Sequence, residues 1–153
     1  MKLKKIISGL MLCTLIMSTN LVYAQDVQPG QTTVSIMKDG REVYSTFEPI
    51  SRISESDLNI SHTGKVKVSR ISSQTVYEVV YAKTTCTVKS TGKAYATYSR
   101  ARWEDKSGNT YRDSGREWDS LTGTPRGYSE ATSDEEQDSW ANRGWTAHTY
   151  YGY

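Results

Sequence analysis

Apolar and polar residues alternate with a period of two through most of this chain after residue 31, and single glycines punctuate the alternation. A period of two belongs to strands with one buried face, and isolated glycines between such runs mark hairpin turns. The segment AYATYSRARWEDKSGNTYRDSGREWD (94–119) organises the rest. It predicts two strands, 95–105 and 110–119, joined by a tight turn at Lys106-Ser107-Gly108-Asn109. With Ser107-Gly108 as a two-residue loop, Asp105 faces Thr110, Trp103 faces Arg112, Arg102 faces Asp113 and Thr97 faces Trp118. Facing residues share a side of the sheet. One side then carries Tyr95, Ala101, Trp103 and Trp118 with Arg112 and Arg116 beside the rings. The other carries Arg100, Arg102 and Glu104 against Glu117 and Asp113, a mixed-charge face suited to water.

The other elements follow the same signals. TTVSIMKDGREVYSTFE (32–48) reads as a hairpin about Asp39-Gly40, with Ile36 facing Val43 and Val34 facing Ser45 to make one apolar face. Pro49 ends its second strand. Residues 50–62 fit no clean period, and residues 54–58 have the length of one helical turn. Thr63-Gly64 opens a strand with Val66 and Val68 inward and Lys65 and Lys67 outward, and Ser72-Ser73 marks a turn. Residues 75–89 are the longest β-prone run, either one strand or two broken near Ala82-Lys83. Thr91-Gly92 turns the chain into the central hairpin. A short strand at 128–133 and an acidic loop at 134–138 follow. The last strand, 140–153, sets Trp145, Ala147, Thr149, Tyr151 and Tyr153 on one face and Thr146, His148 and Tyr150 on the other. With about eight strands and no helix of ordinary length, the spacing points to a sandwich or small barrel, and the expected fold is a single all-β domain, an antiparallel β-sandwich-like architecture.

The N-terminus is of another kind. Lys2, Lys4 and Lys5 precede an apolar stretch at residues 6–17, and Val22-Tyr23-Ala24 suits a signal peptidase. The expected organisation is a signal peptide at 1–24, a flexible lead-in at 25–31 and one domain at 32–153. Secretion follows, with no transmembrane span in the mature form, because the apolar stretch is short for one. Cleavage removes three lysines and no acid. The 19 basic residues become 16 against 17 acidic, a formal charge of −1, so no net electrostatic argument for nucleic acid survives. One cysteine, Cys86, remains. It reads as a small buried residue, the alternative being an intermolecular disulfide.

The two histidines, His62 and His148, stand far apart in sequence, and no zinc-ligand spacing exists. There is no G-x-S-x-G turn and no Gly-rich phosphate loop. No catalytic residue, metal or cofactor is therefore assigned. The acidic run 134–138 lacks the spacing of a calcium loop. What stands out is four Trp and eleven Tyr against one Phe. Such residues work half-exposed, with an apolar body and a polar tip. Tryptophans filling a core poor in Leu and Phe account for part of them. The candidate binding residues are Arg112, Arg116, Arg143, Tyr150, Tyr151 and Tyr153, an outward platform for sugar rings or a protein interface.

From about Lys83 onward the chain resembles small secreted bacterial β-proteins of the lactococcin-type bacteriocin family. The likeness lies in the secretory signal, the polar tyrosine-rich strands and the aromatic end GWTAHTYYGY (144–153). The resemblance implies a secreted β-sandwich acting on the envelope of competing cells and carries over no functional residue. The residues themselves point to a non-enzymatic binding protein for a cell envelope, a polysaccharide or a host protein. The antibacterial reading stands second and an extracellular hydrolase third.

Overall fold

A computed structural model of the chain describes residues 28–50, 57–119, 123–137 and 144–153, together with the backbone of Val22 and Tyr23. The remainder of the predicted signal peptide, Arg143, Trp140 and most of the proposed helical turn lie outside the described residues. The strands are β1 (Val22–Tyr23), β2 (Thr32–Ile36), β3 (Glu42–Phe47), β4 (Leu58–Ser72) and β5 (Thr75–Val88), then β6 (Tyr98–Glu104), β7 (Thr110–Asp113), β8 (Glu117–Trp118), β9 (Tyr128–Thr132), β10 (Glu136–Gln137) and β11 (Thr146–Gly152). No helix among the described residues is long and apolar enough to cross a membrane.

The strands form two sheets. The first runs β1-β4-β5-β10, with β9 also on β5. The second runs β2-β3-β11-β6-β7, with β8 also on β6. Every pairing is antiparallel except β3 with β11. The last strand thus lies between β3 and β6, and its observed burial alternates as the pattern predicts, with Ala147, Thr149 and Tyr151 inside.

Both sheets contribute to one interior. Val43, Val66, Val80, Ala82, Ala101, Trp103, Ala131 and Ala147 form one buried apolar cluster, and Phe47, Leu58, Cys86, Tyr151 and Tyr153 form another. Cys86 is fully buried and unbridged, and burial pushes its thiol up to about 12. An inert small core residue is the role its surroundings describe.

Several registers differ from expectation. The β2–β3 loop has three residues rather than two: Gly40 sits at φ 85° and the Met37 amide bonds the Arg41 carbonyl. Ser35 therefore pairs with Val43, and Val34 with Tyr44. This one-residue slip turns Val34 and Ile36 outward, where they are 50% and 58% exposed. The central hairpin uses the same device. Asp105 accepts the Ser107 and Asn109 amides on its carboxylate, Gly108 takes φ 81°, and Glu104, not Asp105, pairs with Thr110. Beyond that bulge the predicted pairs Arg102–Asp113 and Trp103–Arg112 are present. A second irregularity at 114–116 splits the predicted strand 110–119 and pairs Trp118 with Tyr98 instead of Thr97. Trp118 therefore packs on the outer side against Tyr98, at 5.1 Å between ring centroids, not beside Trp103.

Thr63-Gly64 does not open a strand. Residues 58–72 form one strand paired along nearly its whole length with an unbroken 75–88. A Cβ on Gly64 would lie 2.6 Å from Thr149 Oγ1, so glycine lets the two sheets approach there. Past the interior, a register shift between Val68 and Arg70 accompanies a projecting hairpin end. Val68 is 54% exposed there rather than inward.

Candidate functional site

Between the two apolar clusters lies a layer of polar side chains, one from each of six strands. Ser45 Oγ is 2.8 Å from Thr149 Oγ1, which is 2.9 Å from His62 Nε2. His62 Nδ1 is 3.0 Å from Thr84 Oγ1, Thr84 is 2.7 Å from Ser99 Oγ, and Ser99 is 2.9 Å from Ser129 Oγ. His62 stacks on Tyr151 at 4.0 Å, and burial lowers its pKa to about 3, so the ring is neutral. A neutral imidazole between hydroxyls has one donor and one acceptor to satisfy, and both ring nitrogens are met. The adjoining cavity, lined by Ser35, Ser45, Thr63 and Gly64 among others, has a volume of about 10 Å³, room for one water. This layer ties the two sheets together.

The outer face of the second sheet receives part of the predicted platform. Tyr150 is half-buried. Its hydroxyl donates to Glu104 at 2.8 Å, and the Arg102 guanidinium lies 5.0 Å from its ring centre. Glu104 is only 6% exposed, not solvated as the alternation predicts, because Tyr150, Arg102 and His148 gather over it. Burial and the Glu104 hydrogen bond push the Tyr150 hydroxyl up to about 12. His148 stacks on Tyr44 at 4.9 Å, its pKa lowered by burial. Tyr151 and Tyr153 lie elsewhere: they are 1% and 3% exposed and pack on Phe47. An outward platform at the C-terminus keeps Tyr150 alone. Arg112 pairs with Glu136 at 3.1 Å, and Arg116 with Glu48 at 3.6 Å while lying over the Tyr98 ring. Arg143 falls outside the described residues.

A tyrosine surface ringed by cations stands on the other sheet. The outward positions of β4, β5 and β9 bring together Lys65, Lys67, Tyr77, Tyr81, Lys83, Tyr128 and Glu130. Each tyrosine carries a cation over its ring: Arg70 on Tyr77 at 3.6 Å, Lys67 on Tyr81 at 3.0 Å and Lys83 on Tyr128 at 4.8 Å. Glu130 takes its hydrogen bonds from the Tyr81 and Tyr128 hydroxyls, which lower its pKa. Arg41, Arg70, Arg100, Arg102, Arg112 and Arg116 are all ion-paired, whereas no lysine among the described residues is in an ion pair within 4.0 Å. The sequence signal for this face is the Lys-x-Lys alternation at 65–67, which the register sets opposite Tyr81 and Val79.

Among the described residues no group of three or more His, Cys, Asp or Glu could hold a metal ion. No family model matches the chain, and no curated protein or solved structure matches it.

Proposed function

We propose that this is a secreted, non-enzymatic binding protein with a β-sandwich fold that recognises a cell-envelope polysaccharide. The carrying observation is the row of outward tyrosines on the first sheet, Tyr77, Tyr81 and Tyr128, each with a cation over its ring instead of a place in the core. Flat, half-exposed rings with hydroxyl tips and fixed charges supply apolar contact and hydrogen bonds at low cost in side-chain entropy. His62, the base of the polar layer, is buried with both ring nitrogens spent on the Thr84 and Thr149 hydroxyls, an arrangement that favours a structural role there over catalysis.

The test is incubation of the purified protein with isolated cell walls, polysaccharide arrays and live indicator bacteria. Retention without killing, reduced by Tyr81→Ala and Tyr128→Ala, is the expected result. Killing would favour the bacteriocin-like alternative, and release of soluble sugar would favour the hydrolase.

A further inference from the structure

The lysines of the tyrosine face make no ion pair within 4.0 Å among the described residues, although Glu130 attracts Lys67 and Lys83 from farther off, and that choice of residues narrows the ligand. Lys65 and Lys67 occupy successive outward positions of β4, a spacing on the order of 7 Å. Lys83 stands on the neighbouring strand, paired at its Cα with Thr63 on one side and Glu130 on the other. Lys65 and Lys67 both lie over Tyr81, at 5.4 and 3.0 Å from the ring centre. Among the described residues these three ammoniums share their face with the Glu130 carboxylate, which attracts Lys67 and Lys83 but is already engaged by two tyrosine hydroxyls. Partial burial and the charges of Lys65 and Lys83 depress the Lys67 pKa against the opposing pull of Glu130, so the face gains from a further anion laid across it. The ring of Tyr81 is covered by ammoniums, which favours a ligand that meets charge first and ring second.

We propose that the Lys65–Lys67–Lys83 face is a binding site for an anionic polysaccharide, its carboxylates or phosphates bridging the ammoniums while Tyr128 contacts the sugar backbone. This rests on the envelope-binding reading and names its ligand class. A mature chain of net charge −1 hides such a site from any argument based on total charge.

The experiment measures retention of the purified protein on polygalacturonate, on glycerol-phosphate teichoic acid, on neutral dextran, on double-stranded DNA and on whole cell walls. Expected are retention on one or both acidic glycans and none on dextran, a loss of at least tenfold in affinity from 50 to 300 mM salt, and a comparable loss in the triple variant Lys65→Gln/Lys67→Gln/Lys83→Gln. Polygalacturonate alone would identify carboxylate recognition, and teichoic acid alone phosphate recognition. The triple Lys→Arg variant keeps the charge and should keep binding, and a circular-dichroism spectrum unchanged from wild type separates lost contacts from lost fold. Cell-wall retention unaffected by Lys→Gln would overturn this site while leaving the binding function standing. Failure to bind any wall or glycan would overturn both. Equal retention on DNA would overturn the commitment to a glycan.

Discussion

Gly64 and His62 show how much of this interior depends on single atoms. A methyl group at Gly64 would come within 2.6 Å of Thr149 Oγ1 and 3.0 Å of Ser45 Oγ, both members of the polar layer. Overpacking of that kind costs about 1–3 kcal/mol. Gly64→Ala should lower the urea midpoint accordingly, and a variant as stable as wild type would mean the sheets do not approach as described. His62 gives a pH signature. Its folded pKa of about 3 lies below the ordinary value, so the unfolded chain takes up the proton first. Its contribution is therefore present above about pH 6.5 and is lost as pH falls from there toward about 3, at about 1.4 kcal/mol per pH unit. His148 is shifted in the same direction, so His62→Gln should remove part of the slope of stability between pH 4 and 6 and leave the rest. The carboxylates lowered by their partners, Asp39, Asp105, Glu130 and Glu135, act at lower pH. Urea unfolding at several pH values reads the slope; no change on removing His62 would contradict a buried neutral ring.

At the scale of elements, the hairpins were legible and their registers were not. A Gly after Asp or Ser marks the turn equally well whether it closes a two-residue loop or provides the left-handed residue of a three-residue loop. Here both hairpins take the longer form, helped in each by an aspartate: Asp39 accepts the Arg41 amide, and Asp105 those of Ser107 and Asn109. In β2 the slip exchanges inward and outward residues, while in β6 a compensating bulge restores the Trp103–Arg112 pair. Position within the fold could not be read locally either. Val68 continues the alternation of Val66 but lies beyond the interior, and Gly64 reads as a turn until the facing Thr149 is known. Trp103 is the element-scale prediction. It sits at 7% exposure in the first cluster, and its indole N–H has no hydrogen-bond partner among the described residues. Trp103→Ala should cost about 3–5 kcal/mol. Trp103→Phe should cost distinctly less, since no hydrogen bond is lost. Equal losses would point to a partner for that N–H.

For the whole molecule, the decisive element is the last one. β11 lies between β3 and β6, and its parallel pairing with β3 joins residues about a hundred positions apart, a contact no local pattern announces. The C-terminal tyrosines were therefore legible in their alternation but not in their purpose, because an aromatic tail of alternating residues reads the same as an edge platform or a central strand. The two roles separate by experiment. Tyr151 closes the second cluster with Phe47 and stacks on His62, so Tyr151→Ala should cost about 3–5 kcal/mol and perturb the polar layer with it. Tyr150 faces the other way. Tyr150→Ala removes the donor to the buried Glu104 and should cost about 1–3 kcal/mol, with Tyr150→Phe reproducing most of that loss. Neither change should alter retention on an acidic glycan once allowance is made for the unfolded fraction, since the lysine face belongs to the other sheet. Denaturant titration paired with glycan retention of each folded variant makes the comparison. Loss of binding in a fully folded Tyr150→Ala protein would return the ligand to the outer face of the second sheet and take it away from Lys65, Lys67 and Lys83.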